Sequence, residues 1–293
     1  IAAQASVWRL CARLPSGATG TPGWSRPPAA GQPSAWRFRK APLLAKTAEK
    51  KLDADRLLPR PGQKTAGMTL APDRVIQSIQ QRLDEHFGPL GWWPADSPFE
   101  VAVGAILTQN TAWTNVEYAI GNLKHAGVLD PDSLAGLAPD TLQTLIRPAG
   151  FFRQKACRLQ NLARHLVRDW RGDITALCSG PLAAARSRLL ALAGIGPETA
   201  DSILLYAAAR PSFVVDAYTR RIFQRIGLLQ GNEAYDEIRR LFMQHLPQQV
   251  PLYNAYHAQI VQLAKTCCRK NSPLCGQCPL DQTCLYSRRQ QPS

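Results

Sequence analysis

The chain has 293 residues, 45% of them apolar, and a formal net charge of +14. That length allows one large domain or two modest ones with a real core. The longest stretch without Asp, Glu, Lys or Arg, Leu241 to Ala264, is broken by Pro247, Pro251 and several amides, so no membrane-spanning helix is expected and the partner is not a membrane. The charge is only weak support for a nucleic-acid partner. Residues 1–67 hold 12 Lys+Arg against 3 Asp+Glu, leaving 23 against 18 for everything that follows.

Taken in chain order, residues 1–67 read as a tail rich in Ala, Pro, Gly, Ser and Arg, with no acidic residue before Glu49. An organellar transit peptide, a disordered basic extension and translated upstream sequence all fit such a segment. The favoured expectation is a start near Met68, the first methionine. From Pro72 the pattern changes: Val75, Ile76, Ile79 and Leu83 recur at helical spacing until Gly88-Pro89. Phe99 to Asn110 predicts a buried helix, and amphipathic helices are expected near Trp113–His125, Pro139–Ile146 and Arg153–Asp169. Ser187–Ala193 leads into a Gly194-Ile195-Gly196 turn, after which Glu198–Ala209 predicts a helix. Further helices fit Ala217–Ile226, Tyr235–Leu246 and Tyr253–Cys267. Strand-like alternation is scarce, so the expected fold class is all-α.

The segment Leu192 to Ala200 has the pattern of a helix-hairpin-helix. Both Gly194 and Gly196 are expected to take positive φ and let the backbone approach a phosphate, with Ile195 packed between the helices and Pro197 in the first turn of the second. Thr199 and Ala200 permit a close helix crossing. Such a contact is independent of base sequence, because backbone N–H groups do not read base edges. Asp216 ends the apolar run Phe213-Val214-Val215 ahead of a helix, where it reads equally as an N-cap and as a carboxylate at the mouth of a cleft. Glu198 suits a helix N-terminus through the dipole, and as a carboxylate it cannot form a Schiff base. Trp92, Trp93 and Trp113 offer stacking surfaces for a base, with plain core as the alternative. The polar run through Gln109 and Asn110 offers amides to DNA.

Eight cysteines are present, and Cys268, Cys275, Cys278 and Cys284 are spaced C-x6-C-x2-C-x5-C. Four thiolates in one loop suit an iron–sulfur cluster; a Cys₄ zinc site remains the alternative, although zinc ribbons usually show two C-x2-C pairs. This crowding fits a reducing compartment better than a disulfide framework. Lys265, Arg269 and Lys270 are expected to give the loop a positive rim, which reads as a phosphate contact or, more cheaply, as three solvated charges.

In these motifs, and in their order, the chain resembles the endonuclease III superfamily of base-excision DNA glycosylases, over roughly Phe99 to Cys284. The resemblance implies a two-domain helix-hairpin-helix glycosylase fold: a bundle at 99–211, a second domain from 72–98 and 212–284 carrying a [4Fe–4S] cluster, and a tail at 285–293. It implies a flipped-out nucleotide, double-stranded damaged DNA as partner, and Asp216 as the group that stabilises an oxocarbenium ion and assists water. Gln109 and Asn110 match positions that fill or probe the vacated stack. Bifunctional relatives carry a catalytic lysine where this chain has Glu198, so the implied chemistry is monofunctional. The texts Gly91-Trp92-Trp93-Pro94, Ile106 to Thr111 and Gly196 to Asp201 look most like the 3-methyladenine DNA glycosylase III branch, which removes alkylated purines. A bifunctional enzyme acting on oxidised pyrimidines and a non-catalytic lesion-binding protein are the alternatives. The expected protein is a monomer of the bacterial cytoplasm and nucleoid, or of an organelle if residues 1–67 are a transit peptide.

Overall fold

Helix α1, Pro72–Phe87, starts on a proline at its first turn and buries Val75, Ile76, Ile79 and Leu83 along one stripe. These positions come from a computed structural model that describes Ala71–Gln290; the expectations for residues 1–67 and for 291–293 lie outside the described residues. Helix α2, Pro98–Leu107, is capped by Ser97, whose hydroxyl accepts from the Glu100 backbone N–H at 3.1 Å. It stops three residues short of the expected Asn110, because Thr108–Gln109 form a turn and Asn110 sits at φ 53°. Next come α3 (Trp113–His125), α4 (Pro131–Gly136), α5 (Pro139–Leu145) and the long α6 (Phe152–Trp170). The short α7 (Ile174–Leu177) precedes α8 (Leu182–Leu190), which begins five residues earlier than the sequence suggested.

Beyond the hairpin, α9 (Pro197–Ser202) runs directly into a π-helical turn, Ile203–Ala207, where a plain α-helix had been expected. Then follow α10 (Ala217–Ile226), α11 (Tyr235–His245), α12 (Val250–Thr266), and two 3₁₀ turns, Cys275–Gln277 and Asp281–Thr283. The expected tail is corrected at its start: Leu285–Gln290 form a last helix, α13, against α10, with Ser287 buried. Among the described residues there are no strands, as expected of an all-α chain.

Two apolar cores organise these helices. One is built within residues 99–207 around Ile106, Leu107, Leu123, Leu159, Leu166 and Leu204. The other joins α1 to α10, α11 and α12 through Ile76, Leu83, Phe213, Phe223, Phe242 and Tyr256. Phe213 lies flat on Phe242, with ring centroids 4.3 Å apart. Each fully buried side chain of this size contributes about 1.5–3 kcal/mol, so both cores are substantial. The non-helical segment that follows the π-turn ends on Asp216, and that is what brings this carboxylate near the hairpin.

Candidate active site and DNA interface

The hairpin is shaped by one glycine rather than two. Gly194 has φ +92°, and a methyl group there would overlap the Arg158 side chain. Gly196 has φ −90° and is an extended N-cap with open space where a Cβ would lie, so the expectation of positive φ at both glycines is corrected. Its carbonyl accepts from Ala200 N–H at 2.9 Å. Ile195, Thr199 and Ala200 are buried, which anchors the turn while its tip stays exposed. Gln109 reaches across from the α2 turn. Its Nε2 donates to Gly194 O at 3.2 Å and to Thr199 Oγ1 at 2.9 Å, and Arg158 donates to its Oε1. Gln109 therefore clamps the hairpin, while Asn110 beside it is exposed in left-handed backbone. Behind this turn the buried Lys155 ammonium donates to Leu107 O and Ala149 O, each at 2.8 Å, closing the C-terminus of α2. Burial, reinforced by the nearby Arg158 charge, lowers its pKa to about 8.

Asp216 caps α10. One of its oxygens accepts from the Thr219 N–H at 2.7 Å and the Thr219 hydroxyl at 2.8 Å; the other faces His257 Nε2 at 3.6 Å. Burial by itself would raise the carboxyl pKa. The facing imidazole and the Thr219 donors outweigh it and hold the group below its usual value. Glu198, in the first turn of α9, is pushed the other way, up to about 6, by desolvation and by the Asp216 charge, with His257 and Arg220 partly opposing. Desolvation and the Asp216 charge thus raise the Glu198 pKa while His257 and Thr219 lower that of Asp216, so the two carboxyl groups are shifted in opposite directions.

The tryptophans divide. Trp93 adopts φ +64°, lies flat on Tyr206 with ring centroids 4.9 Å apart, and meets Trp113 edge-on at 5.3 Å. Trp113 donates to Glu117 at 2.9 Å and packs against the first core, which is the plain-core alternative. Trp92 stands edge-on to His257 at 6.4 Å, and its buried Nε1 has no protein partner. Lys265, expected on the rim of the cysteine loop, instead holds its ammonium 5.5 Å from the Trp92 ring centroid. Arg269 is exposed, and its carbonyl accepts from Arg225 at 2.7 Å.

In the cysteine loop, Cys275 opens one 3₁₀ turn, Cys278 closes it and Cys284 closes the next. No group of three or more His, Cys, Asp or Glu among the described residues is arranged to hold a metal ion. The donor set nevertheless fits a thiolate-bound group. Burial, with the neighbouring Cys267, Cys268 and Cys284 adding to it, pushes the Cys278 thiol up to about 12; burial, Cys268 and Cys275 likewise push Cys284 up. Sulfurs that repel one another's charge in this way are stabilised by a shared cation. Arg225 Nη1, 3.3 Å from Cys268 Sγ, supplies a positive charge at the edge.

Several participants carry no sequence signal. Tyr206 and His257 are ordinary helix residues 51 positions apart, yet the Tyr206 hydroxyl lies 2.6 Å from His257 Nδ1. Asp201 is wholly buried and bound by Arg186, Arg239 and Ser212. Phe151, 64% exposed at φ +46°, lies next to Gly150, whose missing Cβ would face Thr111 on the Gln109–Asn110 loop.

Residues 103–248 match the family described as HhH-GPD superfamily base excision DNA repair protein. A Methanocaldococcus jannaschii protein, provisionally named a DNA repair glycosylase, is 45% identical over 212 residues, which is 72% of this chain and 96% of that one. The chain belongs to the HhH-GPD superfamily of base excision DNA repair proteins. This HhH-GPD protein is also 29% identical over 192 residues to an endonuclease III of Thermotoga maritima, covering 66% of this chain and 84% of the relative. Among solved structures, a Helicobacter pylori 3-methyladenine DNA glycosylase bound to 1,N6-ethenoadenine matches with TM-score 0.58 and 29% identity, over 66% of this chain and 97% of that one. An endonuclease III–DNA complex matches with TM-score 0.65 at 21% identity, over 74% and 97%, and so supports the fold. The HhH-GPD protein is a DNA glycosylase of base excision repair, and none of its described helices is long and apolar enough to cross a membrane.

Proposed function

We propose that this glycosylase is monofunctional and hydrolyses the N-glycosidic bond of alkylated purines in duplex DNA. The observation that carries the reading is Glu198: a carboxyl group, not an amine, stands on the hairpin helix beside Asp216. Asp216 is the group held ionised, suited to stabilise positive charge developing on the sugar and to accept the proton of an attacking water. Glu198 changes protonation near neutral pH, so two carboxyl groups have separate roles set by their surroundings. An alkylated purine leaves as a neutral base without needing a strong acid. The Trp92 face, already carrying the Lys265 ammonium, is a surface on which a cationic base replaces one positive charge by another.

DNA engages through the exposed backbone of Gly194 and Gly196, sequence-independently, while the Ile195 N–H is taken up by Leu192 O within the hairpin, and Asn110 and Phe151 enter the base stack from one side. Cys268, Cys275, Cys278 and Cys284 hold a [4Fe–4S] cluster, with zinc as the alternative; when bound, that group cross-links the loop and leaves the glycosidic chemistry to Asp216. The test is base release from methylated duplex DNA, with borohydride present in parallel. Free alkylated purine without a covalent protein–DNA adduct is expected. An adduct, with Lys265 the first amine to examine, overturns the monofunctional assignment. Release of oxidised pyrimidines alone overturns the substrate, and release of no base from either substrate favours a lesion-binding protein.

A further inference from the structure

His257 and Tyr206 form a two-residue device behind Asp216, and the carboxylate that faces the ring selects the hydrogen-bond roles in it. Tyr206 comes from the π-helical turn after the hairpin, His257 from the middle of α12, and Asp216 from the N-terminus of α10. Burial, together with the Asp216 charge, keeps the Tyr206 phenol protonated, so its hydroxyl is available as donor to Nδ1 at 2.6 Å. In the neutral ring that donation leaves the N–H on Nε2, and in the charged ring both nitrogens carry hydrogen. The opposite neutral tautomer would set a bare Nε2 lone pair against the ionised Asp216, so the favoured states present an Nε2 hydrogen towards the carboxylate. That nitrogen is buried, has no hydrogen-bond partner within the protein, and lies 3.6 Å from Asp216 Oδ2. The other Asp216 oxygen is already occupied by Thr219. A buried donor left unpaired is costly, so a slight rotation that closes this gap is favoured.

We propose that His257, oriented by Tyr206, is a positioning residue for Asp216: it takes up one lone pair of Oδ2 and so fixes the direction in which the carboxylate faces the sugar. The inference rests on the catalytic role given to Asp216 above. It concerns α12, an element from which that role takes nothing else. The π-helical turn has its reason here, since the locally wider backbone is the element that delivers the Tyr206 hydroxyl to the imidazole. Trp92 packs edge-on against the same ring and limits its rotation. The other charged groups around the pair are Glu198 and Arg220, from α9 and α10, and Lys265 on α12 over Trp92.

The test is single-turnover base release from methylated duplex DNA by wild type, His257→Leu, His257→Gln, Tyr206→Phe and Asp216→Asn, with duplex affinity measured alongside. Losing a hydrogen bond to a charged group predicts a rate about 10- to 100-fold lower for His257→Leu. Affinity for the duplex stays within about twofold, since no phosphate contact is removed. His257→Gln, which keeps an N–H near the Nε2 position, recovers part of the loss. Tyr206→Phe, which deletes a single oxygen, gives a smaller loss of about fivefold. The acid limb of the rate profile moves to higher pH in His257→Leu, because burial then acts on Asp216 with less opposition. A His257→Leu protein with wild-type rate and limb overturns the inference, as does a loss that Gln does not ease. If His257→Leu fails to fold, Tyr206→Phe decides, and a wild-type rate overturns the proposal. Full activity in Asp216→Asn refutes the catalytic assignment itself, a result distinct from the failure of His257 alone.

Discussion

Replacing Asp201 by Ala removes the centre of a buried ion network that spans the two cores. The Asp201 side chain is wholly buried and accepts from Arg186 Nε at 3.0 Å, from Arg239 Nε at 3.1 Å and from the Ser212 hydroxyl. The two arginine side chains are themselves only 13% and 15% exposed. Without the carboxylate they face each other in a poorly solvated space. Arg186 keeps a second acid, Asp236, and Arg239 keeps the Ser212 hydroxyl. Breaking a buried pair from one side costs about 3–5 kcal/mol, and the retained partners place this case near 3. For a protein of this size that corresponds to a fall in Tm of roughly 6–12 °C. Urea unfolding followed by circular dichroism measures it, with Arg239→Ala and the double variant completing a cycle. The double variant is expected to lose less than the sum, since removing one guanidinium relieves the repulsion. A loss for Asp201→Ala below about 1 kcal/mol, the value of a solvent-screened pair, refutes the argument.

Gly194→Ala forces an alanine to φ +92° against Arg158, and a destabilisation of about 1–3 kcal/mol is expected, with weaker anisotropy-detected binding to undamaged duplex. Gly196→Ala, at φ −90° and facing open space, retains stability within about 0.5 kcal/mol. If it also binds duplex like wild type, close phosphate approach at that residue is refuted. Because the Glu198 pKa is raised from 4.5 to about 6 on folding, its contribution to stability is present below 4.5 and lost as pH rises through 6. Glu198→Gln is therefore expected to gain on wild type between pH 4.5 and pH 7 in urea midpoints; a constant difference across that range contradicts the shift. Replacing Cys278 by Ser is expected to abolish the brown colour of anaerobically purified protein and its bound iron, and stoichiometric zinc without iron in wild type overturns the cluster assignment.

The helices that announced themselves in the sequence did so through local chemistry. Pro72 and Ser97-Pro98 mark helix starts, and the Val75–Leu83 stripe needs no tertiary information to be read. The end of α2 differs from the expected Asn110 because Lys155, 48 positions from Leu107, satisfies its last carbonyl, and no window of sequence contains both. The π-helical turn was invisible for a similar reason, since it depends on where Tyr206 must reach. The places of Asp216 and Glu198 at helix N-termini were legible from the sequence. The opposite directions of their pKa shifts were not, because they come from His257 and Thr219 beside Asp216 and from desolvation and the Asp216 charge acting on Glu198. Lys265 was assigned to the loop by its neighbours in sequence, whereas Trp92, far off in sequence, claims it in space.

Helix α12 carries both His257 and, just past its C-terminus, Cys268. Nine residues of helix separate His257 from Thr266, roughly 14 Å of stiff rod. Oxidative damage at the sulfur end that unwinds the last turns would therefore travel along the rod as a loss of register at the imidazole. If the hairpin holds the duplex and His257 orients Asp216 as proposed, such a preparation would still bind undamaged DNA yet turn over slowly, and a binding assay alone would pass it as sound.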